Sequence, residues 1–246
     1  MLAALLVLLC AILVGAIVRP AKTFVGNRAL LLTDISAPMS EGGFHYDGPD
    51  AIMDELIPLI NSDIDYDAGE EMVDWISTRR EVVASLPRSL IHKFNLLHRG
   101  VGALILDSER ARILVHRRSK GKRIFPGLWD MFVGGVSAAG EAPAATLFRE
   151  MMEETNLDLR AQGVVWHIGA CTVETSYNHC DVDVYIAECS KEQEQDIRFP
   201  DGEIETAVWM TLEQLRLFID QSESELVPDG MQVWRAVPQL LDRIYK

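Results

Sequence analysis

The chain has 246 residues, of which 48% are hydrophobic, so it is long enough for one sizeable domain with a buried core. Its formal net charge is −14, which argues against a nucleic-acid backbone as a partner, because phosphate backbones are bound by basic surfaces. The four cysteines show neither a CxxC pair nor the spacing of a zinc site, and we expect free thiols: Cys10, Cys171, Cys180 and Cys189.

An uncharged apolar run occupies residues 2–18 and is followed by Arg19 and Lys22. Its length is near the lower limit for a membrane-spanning helix. Basic residues on its C-terminal side would keep the rest of the chain in the cytoplasm. We therefore predict that residues 1–22 are a membrane anchor for a cytoplasmic domain. The alternative is a secretory or organelle-targeting leader that is cleaved among the small residues 14–16.

Residues 23–69 are rich in Gly, Pro, Ser and Asp, a composition typical of an acidic linker. Short strands alternate with helices from residue 70 onward, so we expect the folded domain to span residues 70–246. Strands are predicted over residues 101–106, 113–115, 128–133, 164–173, 180–187 and 207–210. Thr211 and Gln214 form a capping box that starts a helix, and a last helix is predicted over 231–245.

Residues 135–157 form the most informative segment and read GVSAAGEAPAATLFREMMEETNL. Pro143 suits the first turn of a helix, and Asn156 suits the left-handed residue that ends one. Three carboxylates then fall on one narrow face, those of Glu150, Glu153 and Glu154. The adjacent flank is apolar and is expected to face the core: Ala144, Leu147, Phe148 and Met151.

The crowding of three acids on one helical face lowers helix stability, since like charges at this spacing repel by a few tenths of a kcal/mol per pair. Mg²⁺ takes oxygen ligands and usually binds one or two carboxylates together with substrate phosphates. The pattern therefore predicts a divalent-cation site. A surface helix with a solvated acidic face is the alternative.

The same segment resembles the Nudix box, whose pattern is G-x5-E-x7-R-E-U-x-E-E-x-G-U, with U an apolar residue. The matching residues are Gly135, Glu141, Arg149, Glu150, Met151, Glu153, Glu154 and Leu157. Asn156 stands where the family has Gly, a mild departure because Asn also adopts the left-handed conformation. The resemblance implies an α/β fold, the α/β/α sandwich with a mixed sheet, and metal-dependent hydrolysis of a diphosphate linkage.

Segments outside the box look like the Nudix subgroup that contains isopentenyl-diphosphate isomerase and its hydrolase-like relatives. The shared marks are Leu97-His98-Arg99, Arg117-Arg118, Lys122, Pro126-Gly127, Trp129-Asp130 and Gly134-Gly135. The isomerases need a Cys and a metal-binding His where this chain has Gly134 and Val136, whereas the acids of the box are all present. Hydrolysis is therefore predicted. An isomerase and a non-catalytic diphosphate-binding module are the alternatives.

The resemblance implies Mg²⁺ or Mn²⁺ as the cofactor. It also implies a small-molecule diphosphate, of the nucleoside-diphosphate type or another, as the substrate. Catalytic roles fall to Arg149, Glu150 and Glu154, with Arg149 orienting Glu150 through an ion pair. The implied metal ligands are Glu150, Glu153, Glu154, a backbone carbonyl at Gly135, and Glu205 from outside the box.

Substrate binding is assigned by the same resemblance to Arg118, Lys122 and Glu203, with a solvated loop as the alternative for Glu203. His98 matches a metal-binding His of the isomerases, but its co-ligand is absent here, so we expect it to have a substrate-facing or a structural role. The two basic residues belong to the densest basic cluster of an acidic chain and suit charge-assisted hydrogen bonds to phosphate. Alternation along an extended segment is expected to place Glu203 and Glu205 on the same face.

Overall fold

The structure is a computed structural model that describes residues 70–162 and 164–236. The apolar run 2–18 and the acidic linker 23–69 lie outside the described residues, as does the end of the helix predicted over 231–245. Among the helices of the described residues, none combines the length and the apolar character that crossing a bilayer requires.

Strands and helices alternate along the described chain. Their order is β1 Met72–Ile76, β2 Val82–Pro87, α1 Arg88–Lys93, β3 His98–Leu106, β4 Arg112–Arg118, β5 Trp129–Asp130, α2 Pro143–Thr155, α3 Leu159–Gln162, β6 Val164–Glu174, β7 His179–Glu188, α4 Lys191–Asp196, β8 Ile204–Thr211, α5 Leu212–Ser222, a 3₁₀ turn Glu223–Glu225 and α6 Pro228–Ala236.

The strands form one mixed sheet centred on β3. Strand β3 pairs in parallel with β7, from His98 opposite Cys180 to Leu106 opposite Glu188, and β6 lies antiparallel beyond β7. On the other side β4 pairs antiparallel with β8 and with the short β5. A parallel pair needs a long crossover connection, and the one between β3 and β7 contains helix α2.

Helices cover both faces of this sheet. On one face Leu147 and Met151 of α2 are fully buried against the sheet residues Ile105 and Leu114. On the opposite face the buried residues of α5 and α6 pack against β3, β4 and β7. The predicted mixed sheet with helices on its two faces is thus confirmed.

Both ends of α2 lie where the sequence predicts them. Pro143 occupies the first turn, and Asn156 adopts a left-handed conformation (φ 60°, ψ 21°) directly after the last helical residue. Leu147 and Met151 form the predicted core-facing flank, whereas Ala144 is exposed. At the start of α5 the Thr211 and Gln214 capping box is also present, with both reciprocal hydrogen bonds formed.

The described structure adds an N-terminal unit that the strand predictions lack. Hairpin β1–β2 and helix α1 enclose a separate small core around Val73, Trp75 and Ile91. The strand predicted over 128–133 is shorter than expected, since only Trp129–Asp130 pairs as a strand. The residues that follow turn to β3 instead, where Val101 N–H donates to Gly135 O and Ala103 N–H to Val133 O.

Two neighbouring methionines in α2 test the packing. Met151 is fully buried and Met152 is 47% exposed. We expect Met151→Ala to lower the free energy of unfolding by about 2–5 kcal/mol, because it leaves a cavity in the core. Met152→Ala should change it by less than about 0.5 kcal/mol. Urea denaturation followed by circular dichroism measures both, and equal losses would contradict the assigned helix face.

Candidate active site

A cavity of about 820 Å³ lies beside the N-terminal half of β3. Its wall contains acids of α2, basic residues of the loop between β4 and β5, and acids that precede β8. Positive and negative side chains therefore face the same space.

Arg149 holds the acidic face of α2 in place. Its guanidinium contacts both carboxylate oxygens of Glu141, at 3.1 and 3.0 Å, and donates to Glu150 Oε1 at 2.8 Å and Glu153 Oε2 at 3.1 Å. A further bond, of 3.3 Å, goes to the backbone oxygen of Val136. The hydrogen bonds from Arg149 lower the pKa of Glu141. One side chain thus binds the helix to the preceding loop.

Glu150 packs directly against the backbone of Gly135. A Cβ added at Gly135 would lie 2.5 Å from Glu150 Oε1, so a residue with a side chain would displace this carboxylate. Burial raises the pKa of Glu150, although the adjacent Arg149 opposes the rise. Gly135 therefore leaves the space that the Glu150 carboxylate occupies, where it is shielded from water.

Glu154 is the most deeply buried acid of the helix, with 7% of its surface exposed. Burial raises its pKa to about 8, and the nearby Glu150 carboxylate adds to the rise. Glu153 differs because its side chain is 54% exposed and is bound by Arg149. The three acids on this face of α2 thus have three environments, and Glu154 is the one least exposed to water.

Two acids from the segment before β8 lie next to Glu154. Oxygen atoms of Glu154, Asp201 and Glu203 all lie within 4.8 Å of one another. Carboxylate oxygens at this separation fit the ligand preference of Mg²⁺ and Mn²⁺. Lys122 also reaches this cluster through an ion pair with Glu203.

Strand pairing explains why the basic loop and these acids meet. Strands β4 and β8 pair along their length, with Arg118 opposite Ile204, and Ser119 N–H donates to Glu203 O at 2.8 Å. The register shifts there, because Thr206 faces Arg117 and Ile204 faces Arg118. Glu205 is the extra residue of a bulge.

The bulge separates two acids that simple alternation places together. Glu203 lines the cavity, whereas Glu205 is exposed and does not line it. The structure therefore does not bring Glu205, a predicted metal ligand, to the acidic cluster. Asp201 was missed by the sequence reasoning and lies in the cluster instead. The Asp201-Gly202 dipeptide is a turn signal that could have indicated it, since Asp201 Oδ1 accepts from Glu203 N–H at 2.9 Å.

The remaining predicted site residues line the same cavity: Gly135, Arg149, Glu150, Glu153, Arg118, Lys122, Glu203 and His98. His98 lies at the start of β3 and is 1% exposed. Its Nδ1 is 2.9 Å from Leu96 O, and since a carbonyl only accepts, Nδ1 carries the proton and Nε2 is a bare acceptor. Burial lowers the pKa of His98 to about 4, so the ring is neutral near pH 7.

The match to a family model decides the family. The model of the NUDIX domain matches residues 96–230, which includes the α2 acids, the basic loop and the segment before β8. The chain belongs to the Nudix domain family.

Similar Nudix proteins support this assignment. An uncharacterized Nudix hydrolase of Rhodococcus erythropolis, orf19, is 25% identical over 168 residues, which is 68% of this chain and 91% of that protein. An uncharacterized Nudix hydrolase of Streptomyces coelicolor is 38% identical over 87 residues, 35% of this chain and 48% of that protein. The chain thus matches about half of the length of the Streptomyces relative.

The fold is also similar to that of a solved structure. The crystal structure of DR0079 from Deinococcus radiodurans aligns with a TM-score of 0.56 and 25% sequence identity. The alignment covers 67% of this chain and 98% of that chain.

Asp201 and Glu205 give a direct test of the acidic cluster. We expect Asp201→Asn to weaken Mn²⁺ binding by roughly tenfold or more, as for residues that support a metal site. Glu205→Gln should leave the affinity unchanged, because this exposed side chain does not line the cavity. Isothermal titration calorimetry measures both. The reverse order of effects would favour Glu205 over Asp201 as the ligand.

The raised pKa of Glu154, about 8, predicts how cation binding depends on pH. A cation binds the carboxylate form, so protons compete with it and binding releases a proton. Mn²⁺ affinity should therefore rise between about pH 6 and about pH 8.5, and Glu154→Gln should reduce this dependence. Titrations in buffers of different ionisation enthalpy count the released protons. Binding that is independent of pH in the wild type would contradict the burial argument.

Proposed function

We propose that this Nudix protein hydrolyses a diphosphate linkage with the help of Mg²⁺ or Mn²⁺. The observation that carries the proposal is the meeting, in one cavity, of the Glu154, Asp201 and Glu203 carboxylates with the basic side chains of Arg118 and Lys122. Binding of a diphosphate requires both kinds of group. The carboxylates hold a cation that neutralises part of the negative charge, and the basic side chains donate hydrogen bonds that orient the phosphates. The relatives named Nudix hydrolases support the same reaction class.

The carboxylates would hold the cation, with Glu150 beside them in the wall. A bound divalent cation lowers the pKa of water and screens the charge of a phosphate leaving group. Arg118 and Lys122 bind and orient the phosphates. Arg149 fixes Glu150 through their 2.8 Å contact, and burial raises the pKa of Glu150, which is the direction that suits a group that takes a proton from water.

An isomerase-like reaction fits this chain less well. The isomerases need a thiol at the position of Gly134, and a Cβ placed there would collide with the backbone oxygen of Val101. A side chain at this position therefore requires the loop to move away from β3. The resemblance to the isopentenyl-diphosphate isomerase subgroup remains a prediction about how this chain is related to other Nudix proteins. For the activity we propose hydrolysis.

A non-catalytic binding module is the second alternative. A module that only binds a diphosphate does not require the desolvated acids Glu150 and Glu154, whose burial raises the pKa of both groups. Their retention in the cavity wall favours chemistry at the site.

Replacement of Glu154 tests the proposal. We expect Glu154→Gln to lower Mg²⁺-dependent release of phosphate or a monophosphate by roughly a hundredfold or more, because the loss of a metal ligand removes several kcal/mol of transition-state stabilisation. Release from a panel of diphosphates is measured by a colorimetric phosphate assay and by mass spectrometry of the products.

Glu213→Gln is the matched control, since Glu213 is an exposed acid in the first turn of α5. It should retain full turnover. Thermal denaturation of the Glu154 variant should show a folded domain, because the substitution removes a buried charge and keeps the shape. Undiminished turnover in Glu154→Gln would refute the proposed role of the acids.

A further inference from the structure

The cavity contains a second pair of carboxylates, which hydrolysis of a diphosphate does not explain. Asp130 of β5 and Asp229 in the first turn of α6 both line it. The charges that act most on Asp130 are those of Arg118 and Asp229. Arg118 also acts on Glu154 of the proposed cation site. Arg118, Asp130 and Asp229 line one cavity, so the part of a substrate beyond phosphates bound at Arg118 shares this space with both acids.

Asp130 is buried without a basic partner in the part of the chain that the structure describes. It is 8% exposed, and its Oδ1 accepts from Phe132 N–H at 3.0 Å and lies tight against Gly230 of α6. Burial raises its pKa to about 7, and the backbone hydrogen bond offsets this only in part. Burial of a carboxylate in this way costs free energy of folding unless further hydrogen-bond donors reach it.

Two other hydrogen-bond acceptor atoms in the cavity wall have no donor among the described residues. Asp229 Oδ2 accepts from Asn178 Nδ2 at 2.7 Å, but Asp229 Oδ1 is buried and has no hydrogen-bond partner among the described residues. The bare Nε2 of His98 is likewise buried and unpaired there. The pairing of β3 with β7 brings these groups close together. Cys180 lies opposite His98, and Asn178 lies shortly before Cys180 in the chain. Unsatisfied buried acceptors are rare in folded proteins, and a cavity that gathers them is suited to a ligand that supplies donors.

An aromatic pair lies on the same side of the cavity. Phe125 of the β4–β5 loop and Tyr177 meet edge to face, with ring centroids 5.3 Å apart, and both line the cavity. Tyr177 is the neighbour of Asn178, which holds Asp229. Ring faces next to hydrogen-bond acceptors suit a group that is flat and carries N–H donors.

A hydrocarbon group fits this region poorly. An apolar chain pressed against Asp130 and Asp229 would remove water from both carboxylates and return no hydrogen bond. An amino group donates to both, and a positively charged one also pairs with them.

We propose that Asp130 and Asp229 are specificity-determining residues that bind an amino group of the substrate, either the exocyclic amino group of a heterocycle or an aliphatic ammonium. The inference rests on the proposed diphosphate hydrolysis, because the phosphates at Arg118 and Lys122 are what place the substrate in this cavity. It selects among diphosphates those that carry an amino group beyond the phosphates.

Matched ligand pairs test the inference by equilibrium binding. The α,β-methylene analogues of ADP and IDP, of GDP and IDP, and of CDP and UDP compare bases with and without an exocyclic amino group, and they cannot be cleaved at the bridge between the phosphates. The methylene-bridged analogues of 2-aminoethyl diphosphate and ethyl diphosphate form a further pair, which tests an aliphatic ammonium. Calorimetry with the folded protein and Mg²⁺ gives each dissociation constant. We expect the wild type to prefer the amino-bearing member of at least one pair by roughly tenfold or more, as for a hydrogen bond to a charged group.

Two variants locate the preference. Asp130→Asn and Asp229→Asn should reduce it to under about threefold, mainly by weakening the amino-bearing ligand, since the lost contact is made to that ligand alone. Asp220→Asn, an exposed acid of α5, is the matched control and should leave every constant unchanged.

The outcomes separate this inference from the proposed function. A wild type that discriminates in no pair, or Asp variants that weaken both members equally, would overturn the role of Asp130 and Asp229. The first of these two results needs only the wild type, so a variant that misfolds does not block the test. Selective binding without hydrolysis of any ordinary diphosphate would leave the specificity pair standing and refute the hydrolase. A preference for ethyl diphosphate over its amino counterpart, with no discrimination between the nucleotides, would refute the inference alone.

Discussion

The guanidinium of Arg149 is the contact on which the site depends. It binds Glu141, Glu150 and Glu153 together with the backbone oxygen of Val136, so the helix and the loop before it form one unit. Without this cation, acids at helical spacing repel, and Glu150 loses the partner that opposes its desolvation. The same arrangement leaves Glu154 more isolated, because no hydrogen bond from Arg149 to it is found within the described residues. Arg149 thus stabilises one part of the acidic face, and the charges of Lys122 and Arg118 act on Glu154 from the other side of the cavity.

Strand pairing supplies the rest of the cavity. The antiparallel contact of β4 with β8 brings the densest basic cluster of an acidic chain to the acids before β8, and the bulge there decides which acid lines the cavity. Three groups of charged side chains then line this one cavity: the α2 acids, the basic pair Arg118 and Lys122, and the acids Asp130 and Asp229. This combination suits the proposed ligand, which has negative phosphates, a bound cation and an amino group.

Sequence reasoning succeeded where local rules act and failed where chain segments distant in sequence meet. Pro143 and Asn156 mark the ends of α2 because capping depends on adjacent residues. Glu205 was misplaced because a bulge depends on the partner strand, which alternation does not include. Trp129-Asp130 is one of the marks shared with the subgroup, but the sequence predicted no role for Asp130 or Asp229, because their place in the cavity wall depends on how α6 packs beside β5. The family resemblance supplied the roles of the box acids, which spacing alone leaves between a metal site and a solvated helix.

The parallel pairing of β3 with β7 and the late pairing of β4 with β8 also bear on how the chain folds. Each joins segments separated by a large part of the described chain, so loop-closure entropy must be overcome before either contact contributes stability. Folding of such a topology is slower than that of a helical bundle of the same size. Strand β8 and helix α6 follow β3 and β4 along the chain, so the cavity wall they complete stays open until these pairings form. Before then the apolar faces of β3 and β4 lack their partners, and this exposed surface makes a partly folded chain prone to aggregation.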